Sequence, residues 1–484
     1  MCYNGPMPDY EAIIGMEVHA QLSTRSKIFC GCDARVSGAP PNTHVCPVCL
    51  GMPGTLPVIN RRAVEAAIMV GLALKCEIAE TAVFSRKNYF YPDLPKAYQI
   101  SMYDFPLCQR GRIEVGGDAP HRITIRRVHL EEDAGKLVHA GDHSLVDLNR
   151  AGVPLLEIVT EPEIRTPEEA RQYLVKLRTI LRYLGVSSGD MEKGAMRCEA
   201  NVSLRPAGSE ALGAKVEVKN MNSFRSAKLA LEYEIARQAR VLDKGGAVRP
   251  VTMGWDERRS QTVEQRVKEE SEDYRYFPEP DLPPLRVSRA WVAEIGASLP
   301  ELPDARRERL IAAGLPAADA SVLTEDREVA DYVEAAAALG REKGIAPKTV
   351  GNWLAGEVFR WLKAEEAEIG EVRVTPAALV DLLALVGAGR ITANSGKAVL
   401  AEMLGTGRPA EEIVAAGGLE QVAGREALEK VVEEVVAAHP EQAAEYRGGK
   451  ETLLRWFVGE VMKATRGKAN PQVVGEILQE RLHY

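Results

Sequence analysis

The chain has 484 residues, of which 45% are hydrophobic and 27% charged. This composition is typical of a globular protein, and the length suggests about three domains. The formal net charge of −8 excludes an overall basic surface, so any nucleic-acid contact must be local. We find no secretory signal and no apolar run long enough to span a bilayer, and we therefore expect a cytoplasmic protein.

The first predicted strand, "IIGMEVHAQL", carries two polar side chains of interest. Side chains alternate along a strand, so Met16 and Val18 form an apolar face while Glu17 and His19 share the opposite face. Such a pair can be a merely exposed polar face. A carboxylate and an imidazole two residues apart can also reach one metal ion.

Half of the chain's eight cysteines follow within one loop, 30–49. The spacing is C-x-C, then C-x-x-C, and the residues are Cys30, Cys32, Cys46 and Cys49. Two close pairs supply four thiolates to one tetrahedral Zn²⁺, which leaves no open position for water. The pattern therefore predicts a structural zinc site rather than a catalytic one. Free thiols remain the alternative, and His44 could replace one thiolate.

The segment "RKNYFYPDLPKAYQ" interleaves basic and aromatic residues. Arg86, Lys87 and Lys96 alternate with three tyrosines and a phenylalanine. Basic groups bind phosphate and aromatic faces stack on bases. A structural corner held by the two prolines would have the same composition, and the two interpretations are compatible.

Two further segments contribute acids. "RRVHLEEDAGK" contains Glu131, Glu132 and Asp133, and "LLEIVTEPE" contains Glu157 among apolar neighbours. A carboxylate in apolar surroundings needs a partner. Convergence of His19, Glu132 and Glu157 would build a divalent-cation site, with Mg²⁺ favoured by the oxygen ligands and Mn²⁺ by the histidine. A solvated acidic turn is the alternative for the three successive acids.

A hairpin is predicted from "RCEANVSLR" and "KVEVK", with one buried and one polar face. Arg197, Arg205 and Lys219 lie on the polar face, where cations can surround a phosphate. The sequence has no G-x-x-x-x-G-K-[ST], so a nucleotide site of the P-loop kind is excluded. An antiparallel sheet with one wet face is the expected floor of the site.

The character of the sequence changes after the proline-rich segment "DYRYFPEPDLPPL". Helical, alanine-rich patterns follow, and the Gly/Pro break "LGTGRP" marks a second boundary. The predicted fold class is therefore α+β. We expect an antiparallel-sheet domain at 1–288 that includes the zinc loop 30–49, an all-α helical domain at 289–404, and a small helical tail domain at 410–484.

The tail is locally basic. Its candidate nucleic-acid-binding residues are Arg447, Lys450, Lys463, Arg466 and Lys468. A basic patch of this kind contacts phosphate without reading sequence, whereas a solvated helix face would also explain it.

Several motifs together resemble the B subunits of the aspartyl/glutamyl-tRNA amidotransferase family. They include "IIGMEVHAQL", "RKNYFYPDLPKAYQIS", "HLEEDAGK", "DLNRAGVPLLEIVTEPE", "RCEANVSLRP", "KVEVKNMNSFR" and "DYRYFPEPDLPP". The likeness runs in order through the first region and continues more weakly to "GEVMKATRGKANPQ". As a set these motifs are highly specific.

The resemblance implies a glutamine-synthetase-like catalytic cradle and two partner proteins. One is an amidase (glutaminase) that releases ammonia from glutamine, and the other is a small third component that clasps the two. It also implies that ATP phosphorylates the side-chain carboxylate of Glu on tRNA(Gln) or Asp on tRNA(Asn), and that ammonia then forms the amide. The cation ligands map onto His19, Glu132 and Glu157, and Glu17 and Lys87 fall in the same pocket motifs.

Under this interpretation the catalytic candidates are Glu17, Lys87, Glu132 and Glu157, and the ATP or phosphate ligands are Arg86, Lys87, Arg197, Arg205 and Lys219. Two alternatives stay open. One is a free-standing ligase that joins ammonia to a small amino acid, against which the long helical C-terminal third argues. The other is a non-catalytic, zinc-containing tRNA-binding scaffold, which leaves His19, Glu132 and Glu157 unexplained. The residues do not choose between Glu-tRNA and Asp-tRNA, because the two carboxylates differ by one methylene.

Overall fold

A computed structural model describes residues 10–116, 119–267, 273–420, 425–465 and 468–482. The chain divides into two compact units, one ending at Leu302 and the other beginning at Pro303. Each unit is described by itself. No helix within the described ranges is both long enough and apolar enough to cross a membrane.

The first unit is built on a large sheet. Its strands are β1 (Tyr10–Gln21), β2 (Glu77–Ile78), β3 (Thr81–Ala82), β4 (Ser85–Asn88), β5 (Tyr98–Ser101), β6 (Cys108–Val115), β7 (His121–Glu132), β8 (Lys136–Ala140), β9 (His143–Asp147), β10 (Pro154–Thr160), β11 (Met196–Pro206), β12 (Val216–Lys219), β13 (Val251–Asp256), β14 (Gln261–Val267), β15 (Phe277–Pro278) and β16 (Leu285–Arg286). Nine of them pair in the order β14-β13-β12-β11-β1-β10-β7-β6-β2. The neighbours run antiparallel except for β12 and β13, which run parallel.

The sheet has one dry face and one polar face. Along β1, Met16, Val18 and Ala20 are buried while Glu17 and His19 are partly exposed. The apolar residues of the neighbouring strands join the same core, which also contains the buried stripes of the helices. Because the side-chain period of a strand is two, this register fixes every polar residue of β1 on the opposite face.

The helices of the first unit are α1 (Arg61–Ala73), α2 (Pro167–Tyr183), α3 (Phe224–Asp243) and α4 (Arg289–Ala297). Helix α2 begins at Pro167, because Thr166 accepts a hydrogen bond from the backbone N–H of Glu169 and proline is favoured in the first turn. Its buried residues include Tyr173, Leu174 and Leu177. The apolar stripe therefore packs in the core and leaves the polar face of the sheet open.

Two short strands carry a clamp beside the large sheet. Strand β4 pairs with β5 on one side and with β15 on the other, so the segment 273–281 lies against β4. Arg86 of β4 donates two hydrogen bonds of 2.8 Å to Glu279, whose side chain is almost completely buried. The backbone N–H of Asn88 donates to the carbonyl of Tyr274 at 3.0 Å. These contacts fasten the downstream segment to β4.

The second unit is helical throughout its described residues. Its helices are α5 (Pro303–Ala312), α6 (Ala317–Leu323), α7 (Arg327–Glu342), α8 (Pro347–Trp353), α9 (Phe359–Glu365), α10 (Pro376–Gly387), α11 (Ala393–Thr406), α12 (Ala410–Gly417), α13 (Arg425–Ala438), α14 (Pro440–Arg447), α15 (Leu453–Ala464) and α16 (Pro471–Leu482). A π-helical turn, Leu354–Val358, joins α8 to α9, and a 3₁₀ turn lies at Ile369–Glu371. One core runs from Leu310 to Val414 and another from Leu428 to Leu482.

The predicted α+β class is confirmed, with an antiparallel-rich sheet followed by a helical region. The predicted hairpin is also present, because β11 and β12 pair antiparallel. The parallel pair of β12 and β13 was not expected, and the long α3 connection between them makes it possible. The three-domain limits and the glutamine-synthetase likeness stay predictions.

Candidate active site

Four polar side chains form a row across four adjacent strands on the polar face. His19 of β1 is paired directly with Glu157 of β10 on one side and with Arg197 of β11 on the other. Glu157 is in turn paired with His129 of β7. Directly opposed residues of neighbouring strands lie close enough for their side chains to interact. The register therefore assembles side chains from distant parts of the sequence.

The imidazole of His19 lies at the centre of an acidic group. Its Nε2 is 3.4 Å from Glu131 Oε1, 3.6 Å from Glu157 Oε2 and 3.8 Å from Glu17 Oε1. The ligand atoms of Glu17, His19 and Glu157 lie within 4.8 Å of one another, and so do those of His129, Glu131 and Glu157. Glu157 belongs to both sets. Carboxylate oxygens and an imidazole nitrogen at this spacing suit Mg²⁺ or Mn²⁺.

The electrostatics of the group favour a cation. Burial alone would lower the pKa of His19, but the carboxylates of Glu131 and Glu157 outweigh it and raise that pKa well above its ordinary value. Burial would likewise raise the pKa of Glu157, but the imidazoles of His129 and His19 hold it well below the usual range. The pKa of Glu17 is raised by burial and then by the charge of Glu157. This surplus of carboxylates fits a divalent cation.

The structure does not bring Glu132 to this group, and it places Glu131 there instead. Glu132 is buried on the other face, where its Oε2 is 2.5 Å from Lys96 Nζ and its Oε1 accepts a hydrogen bond from the backbone of Ile100. Successive residues of a strand point to opposite faces, so only one of two adjacent acids can join the row. Leu130 is apolar and packs in the core, so the next residue, Glu131, must lie on the polar face.

The predicted cations differ in their partners. Arg197 contacts Asp133 at 2.8 Å, and Lys219 contacts Glu199 at 2.9 Å on the same polar face. Arg205 is bound to Glu11 at 2.7 Å. Glu11 precedes Glu17 by six residues on β1, which places this pair about 20 Å along the strand from the acidic group.

Arg86 and Lys87 are adjacent in β4 but have different surroundings. Arg86 is bound to Glu279 and Asp281, at 2.8 and 3.2 Å. The side-chain ammonium of Lys87 has no hydrogen bond or ion pair to any residue that the structure describes. Burial would lower its pKa, but the nearby carboxylate of Glu131, then Tyr276 and Glu157, raise it above its ordinary value. Lys87 is therefore a charged ammonium beside the acidic group.

Tyrosine rings surround that ammonium. Lys87 Nζ lies 4.8 Å from the ring centre of Tyr274 and 5.8 Å from that of Tyr89. Tyr274 and Tyr276 meet edge to face, and Tyr276 stacks on Tyr103 with ring centres 4.2 Å apart. The sequence motif pointed to the aromatic residues near Lys87, but it did not reveal the contribution of the downstream segment.

The sequence missed three members of the site. Besides Glu131, these are His129, whose Nε2 is 3.3 Å from Glu157, and Arg127, whose Nη2 is 3.2 Å from the same carboxylate. Among the described residues, Nδ1 of His129 and Nε of Arg127 are buried without a hydrogen-bond partner. Both residues lie on the same face of β7 as Glu131, because side chains two residues apart on a strand point the same way. This alternation could have identified them from the sequence.

The four cysteines of the loop come together as a separate group. Their sulfur atoms lie within 4.8 Å of one another, which fits a tetrahedral metal site. Hydrogen bonding from Cys30 lowers the pKa of Cys49 to about 4, so the thiolate form of Cys49, which a metal ion requires, is favoured. His44 is not part of the group, although its Nδ1 is buried without a hydrogen-bond partner in the described residues.

The cysteine group lies beside the buried Glu132 rather than beside His19. Cys30, Cys49, Lys96 and Glu132 line one cavity of about 210 Å³. The ammonium of Lys27, fully buried, is 3.6 Å from Cys49 Sγ. Four sulfur ligands and this placement would suit a structural metal ion.

The tail residues are only partly available to a ligand. Lys450 pairs with Glu445 at 2.8 Å, and Lys463 pairs with Glu460 at 2.5 Å. Arg447 donates to the backbone carbonyl of Leu482 at 3.2 Å. Lys468 has no ion-pair partner among the described residues, and Arg466 lies outside them.

Comparison with known proteins identifies the family. The family "GatB/GatE catalytic domain" matches residues 12–293, and the family "GatB domain" matches residues 331–482. A protein of Roseiflexus sp. (strain RS-1), named as the B subunit of an aspartyl/glutamyl-tRNA(Asn/Gln) amidotransferase, is 54% identical over 479 residues, which cover 98% of both chains.

Two further relatives carry the same name. The protein of Thermoanaerobacter sp. (strain X514) is 53% identical over 98% of this chain and 99% of its own length. The protein of Moorella thermoacetica is 53% identical over 98% of this chain and 100% of its own length. Identity at this level over nearly the whole length settles the family. The chain belongs to the family of B subunits of the aspartyl/glutamyl-tRNA(Asn/Gln) amidotransferases.

Proposed function

We propose that this chain carries out ATP-dependent transamidation of misacylated Glu-tRNA(Gln), Asp-tRNA(Asn) or both. One observation carries the proposal: Glu17, His19, Glu131 and Glu157 converge beside the Lys87 ammonium, which has no ion-pair partner among the described residues. Family membership supports the tRNA substrate, because the relatives are named as parts of tRNA amidotransferases. The free-standing ligase and the non-catalytic scaffold lack such support.

The reaction has two steps on the substrate. An oxygen of the side-chain carboxylate attacks the terminal phosphorus of ATP, and the bond to ADP breaks to leave an acyl phosphate. The lone pair of ammonia then attacks the carbonyl carbon, inorganic phosphate leaves, and nitrogen loses a proton to give the amide. Both steps concentrate negative charge on phosphoryl oxygens, which positioned cations stabilise.

The acidic group is the proposed Mg²⁺ site. His19, Glu131 and Glu157 would hold the cation, which when bound neutralises charge on the phosphates. Glu17 is the most exposed carboxylate around His19, with 30% of its side chain accessible against 3% for Glu131 and 7% for Glu157. We therefore assign Glu17 to contact with the substrate.

The phosphate contacts are assigned by availability. Lys87 has no ion-pair partner among the described residues, and Arg197 and Lys219 lie on the same polar face as the acidic group. Both Arg86 Nε and Nη2 donate to Glu279, and Arg205 lies about 20 Å along the strand from the acidic group, so we assign these two arginines structural roles instead. The open floor of an antiparallel sheet would hold ATP without a P-loop, in the manner of a glutamine-synthetase-like cradle.

The remaining parts of the proposal concern partners and metals. An amidase (glutaminase) partner would supply ammonia from glutamine, and a small third protein would complete a heterotrimer. Zn²⁺ would be held by the four cysteines as a structural ion. The domains 289–404 and 410–484 would carry the tRNA, with contacts from the basic tail residues. Because the substrate is a charged tRNA, we infer that the reaction occurs in the cytoplasm.

Reconstitution tests the proposal. The purified chain, its amidase partner, Mg-ATP and each misacylated tRNA are mixed, and the amino acid released from the tRNA is analysed for its amide. We expect amide formation that depends on ATP and disappears in His19→Ala, while that variant still binds tRNA. Parallel loss of tRNA binding and activity would favour the non-catalytic scaffold. Amide formation by His19→Ala at the wild-type rate would show that the acidic group takes no part in the reaction.

A further inference from the structure

The ammonium of Lys87, on β4, differs from the cations on the polar face of the large sheet. Arg197 and Lys219 each contact a carboxylate within 3 Å. Lys87 contacts none among the described residues, although it lies partly buried beside Glu131 and Glu157. These carboxylates favour the charged form of Lys87 but make no ion pair with it, so another contact must hold the side chain in this position.

Two tyrosine rings provide that support. The ring centres of Tyr274 and Tyr89 are 4.8 and 5.8 Å from Lys87 Nζ, within the range in which an aromatic face attracts a cation. The two rings meet edge to face at 5.9 Å, so each limits the movement of the other. An aromatic face attracts the ammonium without neutralising its charge, whereas a carboxylate would neutralise it.

The side chains next to Lys87 fix the backbone that carries the ring of Tyr274. Asn88 Nδ2 donates to the carbonyls of Tyr274 and Arg275, at 3.1 and 2.8 Å. On the other side, Arg86 is bound through two hydrogen bonds to Glu279. Arg86 and Asn88 thus fix the segment 273–281, and Tyr274 of that segment contacts Lys87. This arrangement sets the ring position independently of any substrate.

We propose that Tyr274 and Tyr89 are positioning residues that hold the Lys87 ammonium, without a direct ion pair, for an anionic oxygen of the phosphoryl group. The inference rests on the proposed function and adds two residues outside the acidic group, Tyr274 and Tyr89, to those that support the reaction. Because the rings act through Lys87, which contacts the phosphoryl group, removing them should lower kcat for amide formation and leave tRNA binding unchanged. The phenol hydroxyls are not required.

The experiment compares ring-keeping and ring-removing variants in the assembled amidotransferase. Ammonium chloride replaces glutamine as the nitrogen source, so that glutaminase activity does not enter the rate. We expect Tyr274→Phe to keep kcat within about threefold, because the aromatic face remains. We expect Tyr274→Leu to lower kcat about 30-fold with little change in KM for tRNA, as the loss of a desolvated cation–π contact predicts.

A double-mutant cycle separates positioning from folding. In a Lys87→Met background, Tyr274→Leu should change kcat by less than about twofold, because the group through which the ring acts is gone. Tyr233→Leu is the matched control, since Tyr233 makes a cation–π contact with Arg240 at 5.9 Å on α3. The control should retain full activity.

Three outcomes would overturn the inference while the wild-type complex still forms amide. They are equal rates for Tyr274→Leu and wild type, full additivity of Tyr274→Leu with Lys87→Met, and an effect on KM for tRNA alone. The last result would mean that the rings bind the tRNA end. Absence of amide from the wild-type complex would instead contradict the proposed function itself.

Discussion

Glu157 of β10 lies directly opposite His19 of β1, and their Oε2 and Nε2 atoms are 3.6 Å apart. The pair joins segments that are far apart in the sequence. Because Glu157 also contacts His129 and Arg127, it is the side chain shared by both halves of the acidic group. Its neutralisation should therefore affect the whole group.

We predict that Glu157→Gln lowers amide formation at least about 100-fold, because weakening even the outer contacts of a metal ligand lowers activity about 10–100-fold. The amide keeps the shape of the side chain but removes its charge. Steady-state kinetics and a tRNA-binding titration check this prediction. Glu161→Gln is the matched control, since Glu161 lies near β10 but is bound to the exposed Arg126.

Glu131 and Glu132 should give opposite phenotypes. Glu131→Gln is expected to weaken Mn²⁺ binding and activity together, with little loss of stability. Glu132→Gln should leave Mn²⁺ binding unchanged but reduce the free energy of unfolding by about 3–5 kcal/mol, because it strands the charge of Lys96 in a buried position. Calorimetric titration with Mn²⁺ and denaturant unfolding measure the two effects, and weaker Mn²⁺ binding by Glu132→Gln would contradict the placement.

Removal of one thiol should separate zinc from catalysis. We predict that Cys46→Ser releases Zn²⁺ and lowers Tm by several degrees, since a structural zinc site contributes directly to folding. Below its Tm the variant should form amide at close to the wild-type rate. Metal analysis by mass spectrometry, thermal unfolding and kinetics check this. The control is Cys198→Ser, because Cys198 is buried in the core away from the cysteine loop; a folded Cys46→Ser protein that has lost only catalysis would show that the metal acts in the reaction.

An acid-dependent contact links α2 to α3. Hydrogen bonds from Arg171 and Lys228 lower the pKa of Glu168 from 4.5 to about 2. A depressed pKa contributes stability that is present above the ordinary value and is lost as pH falls from about 4.5 toward about 2. Since Glu168 is well exposed, we expect Glu168→Gln to remove less than about 1 kcal/mol at pH 6, and less at pH 3.

Denaturant unfolding at both pH values measures this difference. Glu232→Gln is the matched control, because its carboxylate is 3.9 Å from the same Lys228. An equal effect of Glu168→Gln at the two pH values would contradict the assignment.

The tail prediction follows from the ion pairs of its lysines. Lys468→Ala is expected to weaken tRNA binding and to reduce the salt slope of the affinity by about 1, as loss of a single phosphate contact predicts. Lys450→Ala should have a smaller effect, because Glu445 already pairs with that lysine. Binding titrations over a series of salt concentrations compare the two variants. Equal slopes for Lys468→Ala and wild type would remove Lys468 from the RNA surface.

Local patterns were enough for part of the fold and part of the site. The spacing of Cys30, Cys32, Cys46 and Cys49 predicts one sulfur group, and the structure forms it. The alternation around His19 predicts its face correctly. Periodicity and spacing act over a few residues, so such features can be identified from a single segment.

Features that depend on pairing between distant segments were harder to predict. The choice between Glu131 and Glu132 depends on which residues of β7 face the polar side of the sheet. An error of one residue in the predicted register exchanges the two faces. The contact of Tyr274 with Lys87 depends on β15 pairing with β4, and no local pattern specifies that partner. The parallel β12–β13 pair likewise depends on where α3 returns the chain.

The clamp between Arg86 and Glu279 spans 193 residues of sequence. The acidic group needs only β1, β7 and β10, all complete by Thr160, whereas the nearer of the two rings beside Lys87 belongs to Tyr274. During synthesis on the ribosome, a nascent chain released after α3 would contain the carboxylates but lack the tyrosine. Truncated products of this length would therefore be catalytically immature, even with the central strands already paired.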